Sequence, residues 1–260
     1  MVRATLEAAN KRVPVMLGVT STNLREAADK MQFVREAGGE GVLLGLPYYN
    51  PLPVSQIPAF YRTFAEAFPD LSIMIYHNPV NHRVHIPVPV FPELVKIPNV
   101  VAMKDSHRDP LELMKLHDVI HGKIAHFVNQ TQLYPYYEMG ASGCWSIDAW
   151  MGPWPILRLY QAVSEGDVET AKRITNELTP GSTGRRAERA PADGEGGGGG
   201  INIQALAGYV KPGASRPPSF TSPDGPSEAA VKRTHQRAQR WLDLCEKYRA
   251  EVEARRAARV

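Results

Sequence analysis

The sequence predicts an α/β fold built from parallel strand–helix units. Short apolar runs bounded by Gly, Pro and Asn alternate with longer stretches whose apolar residues recur at helical spacing. Six such units follow one another, and repeated units of this kind fold either as a doubly wound sheet or as a (β/α)8 barrel.

The elements follow in order. Residues 13–19 read as a strand. Asn23 then caps a helix with Ala27, Ala28, Met31, Val34 and Ala37 on its apolar side, and Gly38 and Gly39 end it. Strands are expected over 41–46, 72–76, 100–104, 124–128 and 143–147. Helices are expected over 55–68, 90–96, 110–120, up to Met139, and from Trp154 to about Ser164. Residues 1–10 read as the end of a helix.

Beyond Leu178 the character changes. Residues 179–200 hold Arg185, Arg186 and a run of glycines, and such a stretch buries too little apolar surface to order itself. Residues 227–259 read as a long helix with Val231, Ala238, Trp241, Leu242, Cys245 and Tyr248 in one stripe. The expected organisation is an α/β domain over 1–178, a flexible Gly-rich segment over 179–200 and a helical extension over 201–260.

Composition bounds the function. Apolar content of 43% and charged content of 22% are ordinary for a globular protein. The net charge of +3 comes from basic residues crowded near the C-terminus, and a solvated basic helix end explains them better than a nucleic-acid surface. Cys144 and Cys245 match no metal or redox spacing. His82 with His85, and His117 with His121, lack the Glu of a zinc-protease motif, so ordinary exposed histidines are expected and no metal. The Gly196–Gly200 run follows no strand and reads as linker, not as a nucleotide site. No long apolar span or signal peptide is visible, so the expectation is a cytoplasmic protein without a membrane segment.

The chemistry concentrates at two strand ends. Lys104 emerges from the apolar run 100–104, and burial disfavours a charged lysine. An amine that sheds its proton can attack a carbonyl and form a Schiff base, whereas a lysine that snorkels out at the strand end does nothing. The run 71–80 ends in Tyr76, His77, Asn78 and Pro79. Parallel barrel strands present their C-terminal ends to one face, which brings Tyr76 and Asn78 towards Lys104. A Tyr hydroxyl can shuttle a proton and an Asn amide can hold a carbonyl or carboxylate, although Tyr76 also reads as a core aromatic.

Ile75-Tyr-His-Asn-Pro79 followed by Val101-Ala-Met-Lys-Asp105 resembles the dihydrodipicolinate synthase/N-acetylneuraminate lyase superfamily of class I pyruvate aldolases. So do Val13-Pro-Val-Met-Leu-Gly-Val-Thr20, Gly41-Val-Leu-Leu-Gly-Leu-Pro-Tyr-Tyr-Asn50 and Gly140-Ala-Ser-Gly-Cys-Trp-Ser146, in the expected order. The hydratase-aldolase branch of the trans-o-hydroxybenzylidenepyruvate type is most similar. Tyr76-His-Asn-Pro79 resembles its Tyr-Ala-Asn-Pro, and Trp145-Ser146 with Gly152-Pro153 and Phe60-Tyr-Arg-Thr-Phe-Ala-Glu-Ala-Phe-Pro69 resemble two of its other segments. The synthases carry an Arg in the loop after the Tyr, at a position held here by Asn81, with Arg83 two residues on. Tyr49, in Pro47-Tyr-Tyr-Asn50, is the more synthase-like feature.

The resemblance implies a (β/α)8 TIM barrel whose opening helix is the family's second. It therefore implies an N-terminally truncated barrel, with the first two strands absent and C-terminal helices following. It implies Lys104 as Schiff-base lysine, Tyr76 as general acid/base, and Asn78, Trp145, Asn129, Gln130 and Tyr49 as substrate contacts, with no cofactor. Trp145 would wall an aryl substrate, though a core aromatic reads as well. The partner is a small-molecule 2-oxo acid, no nucleic acid or membrane is involved, and family members are usually homotetramers. The expected reaction cleaves an aryl-substituted 2-oxo acid to pyruvate and an aromatic aldehyde. The alternatives are a synthase-like enzyme with an aliphatic partner and an inactive truncated homologue.

Overall fold

Each strand of the sheet pairs in parallel with its successor in the chain: β1 (Met16–Gly18), β2 (Gly41–Gly45), β3 (Ser72–His77), β4 (Val100–Asp105), β5 (Ala125–Asn129) and β6 (Gly143–Trp145), in that spatial order. The computed structural model describes residues 1–106, 108–179, 203–211, 213 and 227–258. A doubly wound sheet reverses its strand order at a switch point, whereas this order never reverses. The fold is therefore of the (β/α)8 TIM-barrel type, and the ambiguity left by strand–helix alternation is resolved by strand order.

The helices are α1 (Val2–Ala9), α2 (Leu24–Glu36), α3 (Ile57–Ala67), α4 (Pro79–His82), α5 (Phe91–Leu94), α6 (Pro110–Ile120), α7 (Leu133–Tyr137), α8 (Trp154–Glu165), α9 (Val168–Leu178), α10 (Ile203–Ala207) and α11 (Glu228–Ala257). The described residues fall into two compact units, Met1–Trp145 and Ser146–Val260.

In the first unit, β2 and β3 carry the apolar layer: Val42, Leu44, Ile73 and Ile75 are fully buried. Ala27, Met31 and Val34 of α2 and Ile57, Phe60, Tyr61 and Phe64 of α3 join the same core at helical spacing. Burying each of the larger aliphatic or Phe side chains among them stabilises the fold by roughly 1.5–3 kcal/mol relative to exposure. Asn23 caps α2, its side chain accepting the Glu26 N–H at 2.8 Å, and Asp109 caps α6 through the Glu112 N–H at 3.0 Å. Each cap contributes about 1 kcal/mol.

Local chemistry trims several expected elements. β1 starts only at Met16, because Pro14 has no N–H for a ladder and Val13 is exposed. The helix expected over 90–96 shrinks to α5. The one expected to reach Met139 ends at Tyr137, before Gly140 at φ +101°.

In the second unit, α11 buries Ala238, Trp241, Cys245, Tyr248 and Val252, extending the expected stripe by one turn. The Trp241 indole N–H donates to the Gly152 carbonyl at 3.0 Å, and the Tyr248 hydroxyl donates to Glu177 at 2.8 Å. From residue 180 on, the Gly-rich segment expected over 179–200 lies outside the described residues. Among the described residues no helix is long and apolar enough to cross a membrane.

Candidate active site

Tyr76 on β3 and Lys104 on β4 are register partners across the parallel ladder. Successive side chains in a strand alternate faces, so the partners share one face. The Lys104 Nζ lies 5.8 Å from the centre of the Tyr76 ring. On β5, Phe127 pairs with Lys104, so Asn129 stands two residues farther along that face. Lys104 Nζ donates to Asn129 Oδ1 at 2.9 Å and to the Ser106 hydroxyl. Asn129 Nδ2 donates in turn to the Ser106 carbonyl at 2.7 Å, which fixes the carboxamide's orientation.

Lys104 is only 7% exposed, and among the described residues it forms no ion pair. Burial pushes its pKa down, opposed in part by the Asp105 charge. Both of its hydrogen-bond acceptors are neutral, so nothing in direct contact demands that the amine stay charged. The thiols are no rivals as nucleophiles: burial pushes Cys144 and Cys245 each up to about 11.

Asn78 Nδ2 donates to the Tyr76 hydroxyl oxygen at 3.1 Å, while Asn78 Oδ1 accepts the Asn81 N–H and caps α4. The Tyr76 oxygen thus accepts from Asn78, and its own proton remains to be given. His82, at the end of α4, meets Tyr76 edge-on at 5.1 Å between ring centres, and its Nδ1 accepts the Asn78 N–H. Gly45, the register partner of Tyr76 on β2, leaves room for that ring: a Cβ there would lie 2.5 Å from His82 Cε1. Burial pushes the His82 pKa down to about 4.

The structure thus brings Lys104, Tyr76, Asn78 and Asn129 together. Trp145 ends β6 as the register partner of Asn129 and is 41% exposed, so it is not a filled-core aromatic. Gln130 follows β5 and is buried. Tyr49 stands apart: its side chain is 73% exposed, and its backbone carbonyl accepts from Arg83 at 3.4 Å.

Two parts of the site escape a reading of the sequence. Ser106 is one, although its two-residue offset from Lys104 puts it on the same side of the chain. The other is a polar cluster on the opposite face. His77 Nδ1 meets Asp105 Oδ1 at 2.8 Å, and Asp105 Oδ2 receives Arg108 Nε at 2.7 Å and His126 Nε2 at 3.3 Å. Arg108 also reaches Glu112 at 2.7 Å and the Ile86 carbonyl at 3.0 Å. The expectation of ordinary exposed histidines is corrected here: His77, His82 and His126 are all buried, because the strand alternation and the α4 turn aim them inward. Among the described residues no group of His, Cys, Asp and Glu is placed to hold a metal ion.

A buried amine at the C-terminal mouth of parallel β/α strands, 5.8 Å from the centre of a tyrosine ring, is an arrangement of a TIM-barrel protein that can carry out carbonyl chemistry. The chain belongs to the dihydrodipicolinate synthetase family, whose model matches residues 1–192. Among sequence relatives, the 4-hydroxy-tetrahydrodipicolinate synthase of Methanospirillum hungatei is 28% identical over 182 residues, covering 69% of this chain and 62% of the relative. That of Methanococcoides burtonii is 32% identical over 180 residues, covering 67% and 60%. The chain therefore spans about three fifths of the length of these curated relatives. Among solved structures, one described as PhdJ bound to substrate intermediate superposes with a TM-score of 0.79 at 26% identity, over 95% of this chain and 77% of that one. The dihydrodipicolinate synthase of Acinetobacter baumannii complexed with pyruvate gives 0.75 at 22% identity, over 92% and 79%.

Proposed function

We propose that this protein is a class I, Schiff-base-forming aldolase that uses Lys104 to bind pyruvate or a related 2-oxo acid. The observation that carries the reading is the Lys104 amine: buried, free of any ion pair among the described residues, and oriented by two neutral acceptors. Its free base attacks the ketone carbon, and the Tyr76 proton passes to the carbonyl oxygen as the carbinolamine forms. Loss of water gives an iminium, which accepts the electron pair of the adjacent bond as an enamine forms. No cofactor is needed, since the iminium is the electron sink. Asn78 holds the Tyr76 oxygen, and Asn129 with Ser106 holds the nitrogen.

The second substrate is the finer question. The relatives' shared name, 4-hydroxy-tetrahydrodipicolinate synthase, supports a synthase-like reaction with an aliphatic partner. A specific observation favours the hydratase-aldolase reading as the second: the exposed Trp145 ring at the end of β6 offers an aromatic wall next to Asn129. From the family resemblance alone we likewise propose a cytoplasmic homo-oligomer.

Borohydride with pyruvate tests the chemistry. The wild-type chain should gain an irreversible carboxyethyl group on Lys104, and Lys104→Ala should gain none; labelling elsewhere overturns the reading. Trp145→Ala separates the two partners. If it raises KM for aryl substrates more than for small aldehydes, the aryl reading stands, and equal effects leave the aliphatic one.

A further inference from the structure

The cluster behind the Tyr76–Lys104 pair has a specific geometry. Tyr76 pairs with Lys104 and, one residue on, His77 pairs with Asp105 in the same ladder. Alternation puts the second pair on the opposite face of the same two strands. We propose that the buried His77–Asp105 pair, locked by Arg108 and His126, is the positioning element that sets where Tyr76 meets Lys104 and that fixes a negative charge on the residue adjoining Lys104 in the chain. This rests on the aldolase reading for its functional meaning.

The hydrogen bonds settle what His77 does. The Ile86 backbone N–H, which can only donate, points at His77 Nε2 at 3.1 Å. Nε2 is therefore an acceptor, and a neutral His77 carries its proton on Nδ1, facing Asp105. Both ring nitrogens are engaged, so His77 has no proton to exchange with a substrate. Burial keeps its pKa down. Asp105 remains a carboxylate: burial works against its charge, but hydrogen bonds from His126 and His77 and the Arg108 charge hold its pKa well below the usual range.

The staple joins β3, β4 and β5. Asp105 on β4 takes His77 from β3 and His126 from β5, so a single carboxylate ties together the strands that carry Tyr76, Lys104 and Asn129. Arg108 extends the tie to the loop carbonyl of Ile86 and to Glu112 on α6, which also meets His85 at 2.6 Å. Among the described residues the groups bonded to or ringed beside Lys104 are Tyr76, Ser106 and Asn129, none charged, and the carboxylate of the adjoining residue, Asp105, acts on the amine by its charge. A register shift of one residue would turn every side chain of a strand to the other face, and a buried, fully bonded carboxylate penalises any such slip.

Two measurements on the full chain test this. The first reads the pyruvate–borohydride trapping rate at Lys104 per folded molecule in His77→Leu and His77→Asn. Leucine removes the donor to Asp105, while the asparagine Nδ2 restores it. His77→Leu should slow trapping by roughly 10–100-fold, the range for a small misplacement of reacting groups, and His77→Asn should recover most of that. Equal rates in wild type and His77→Leu overturn the proposal, as does an equal loss in both variants. The second needs no substrate: the pH midpoint for reductive methylation of Lys104 by formaldehyde and cyanoborohydride, read on its peptide by mass spectrometry. Asp105→Asn removes the charge that favours the ammonium form, so its midpoint should fall below that of wild type, and an unchanged midpoint overturns the proposal. If wild type fails to trap pyruvate while the Asp105→Asn midpoint still falls, the aldolase reading fails and the fixed charge at Asp105 stands.

Discussion

The Lys104 amine and the Asn129 carboxamide oxygen lie 2.9 Å apart, bridging β4 and β5 at the mouth of the sheet. A neutral acceptor at that distance orients the amine without holding it charged. Asn129→Asp changes the charge with little change in shape. A carboxylate there stabilises the ammonium and raises the Lys104 pKa, so the free amine becomes scarcer at any given pH. The acid limb of the pH–rate profile for imine trapping should move to higher pH, which a trapping series across pH reads directly. An unmoved limb would mean that Asn129 does not act on Lys104.

Tyr76→Phe keeps the ring that His82 meets and removes only the hydroxyl. Turnover should fall by about 10²–10⁴, the range for a lost general acid/base, with the fold intact by circular dichroism. Steady-state rates equal to wild type would reduce Tyr76 to a packing residue.

Gly45→Ala tests how tightly the Tyr76 surroundings are packed. The added Cβ would lie 2.5 Å from His82 Cε1 and 2.7 Å from His82 Nε2, so the ring must move. Overpacking of this kind costs about 1–3 kcal/mol. His82→Ala opens the space, so the double variant should recover part of the loss. Additive losses in a denaturant double-mutant cycle would show that the two positions do not clash.

Stability should fall as the solution is acidified. His82 is held near 4 in the folded chain against an ordinary 6.5. As pH drops from about 6.5 to about 4, the unfolded chain takes up a proton that the folded chain refuses, and the balance shifts towards unfolding. His77, whose pKa is also pushed down by burial, adds to the same trend. Asp105 acts lower still: its contribution is present above the ordinary value of 3.8 and is lost as pH falls through its depressed folded pKa. His82→Phe keeps an aromatic edge on Tyr76 but cannot titrate, so its thermal midpoint should vary less than that of wild type between those pH values. Identical slopes would remove His82 as the cause.

The sequence alone determined the strand–helix alternation and the two residues on which the proposed chemistry turns. The apolar runs around Ile73 and Val100 are buried strands because their side chains have nowhere else to go, and Tyr76 and Lys104 end those runs in plain view. Helix starts were equally legible at Asn23, where the capping chemistry is local. The tertiary structure decided what depends on pairing between strands. Strand order selected the barrel over the doubly wound sheet, because alternation of elements is common to both. Register placed Ser106 and Asn129 on the amine and turned His77, Asp105 and His126 to the opposite face, where Arg108 joins them. Those histidines look ordinary in the sequence because their burial is set by partners from other strands and from the Ile86 loop. Tyr49 shows the converse: its place in a motif marks it, but the chain leaves its side chain in solvent, since nothing in the local sequence fixes where a loop residue points.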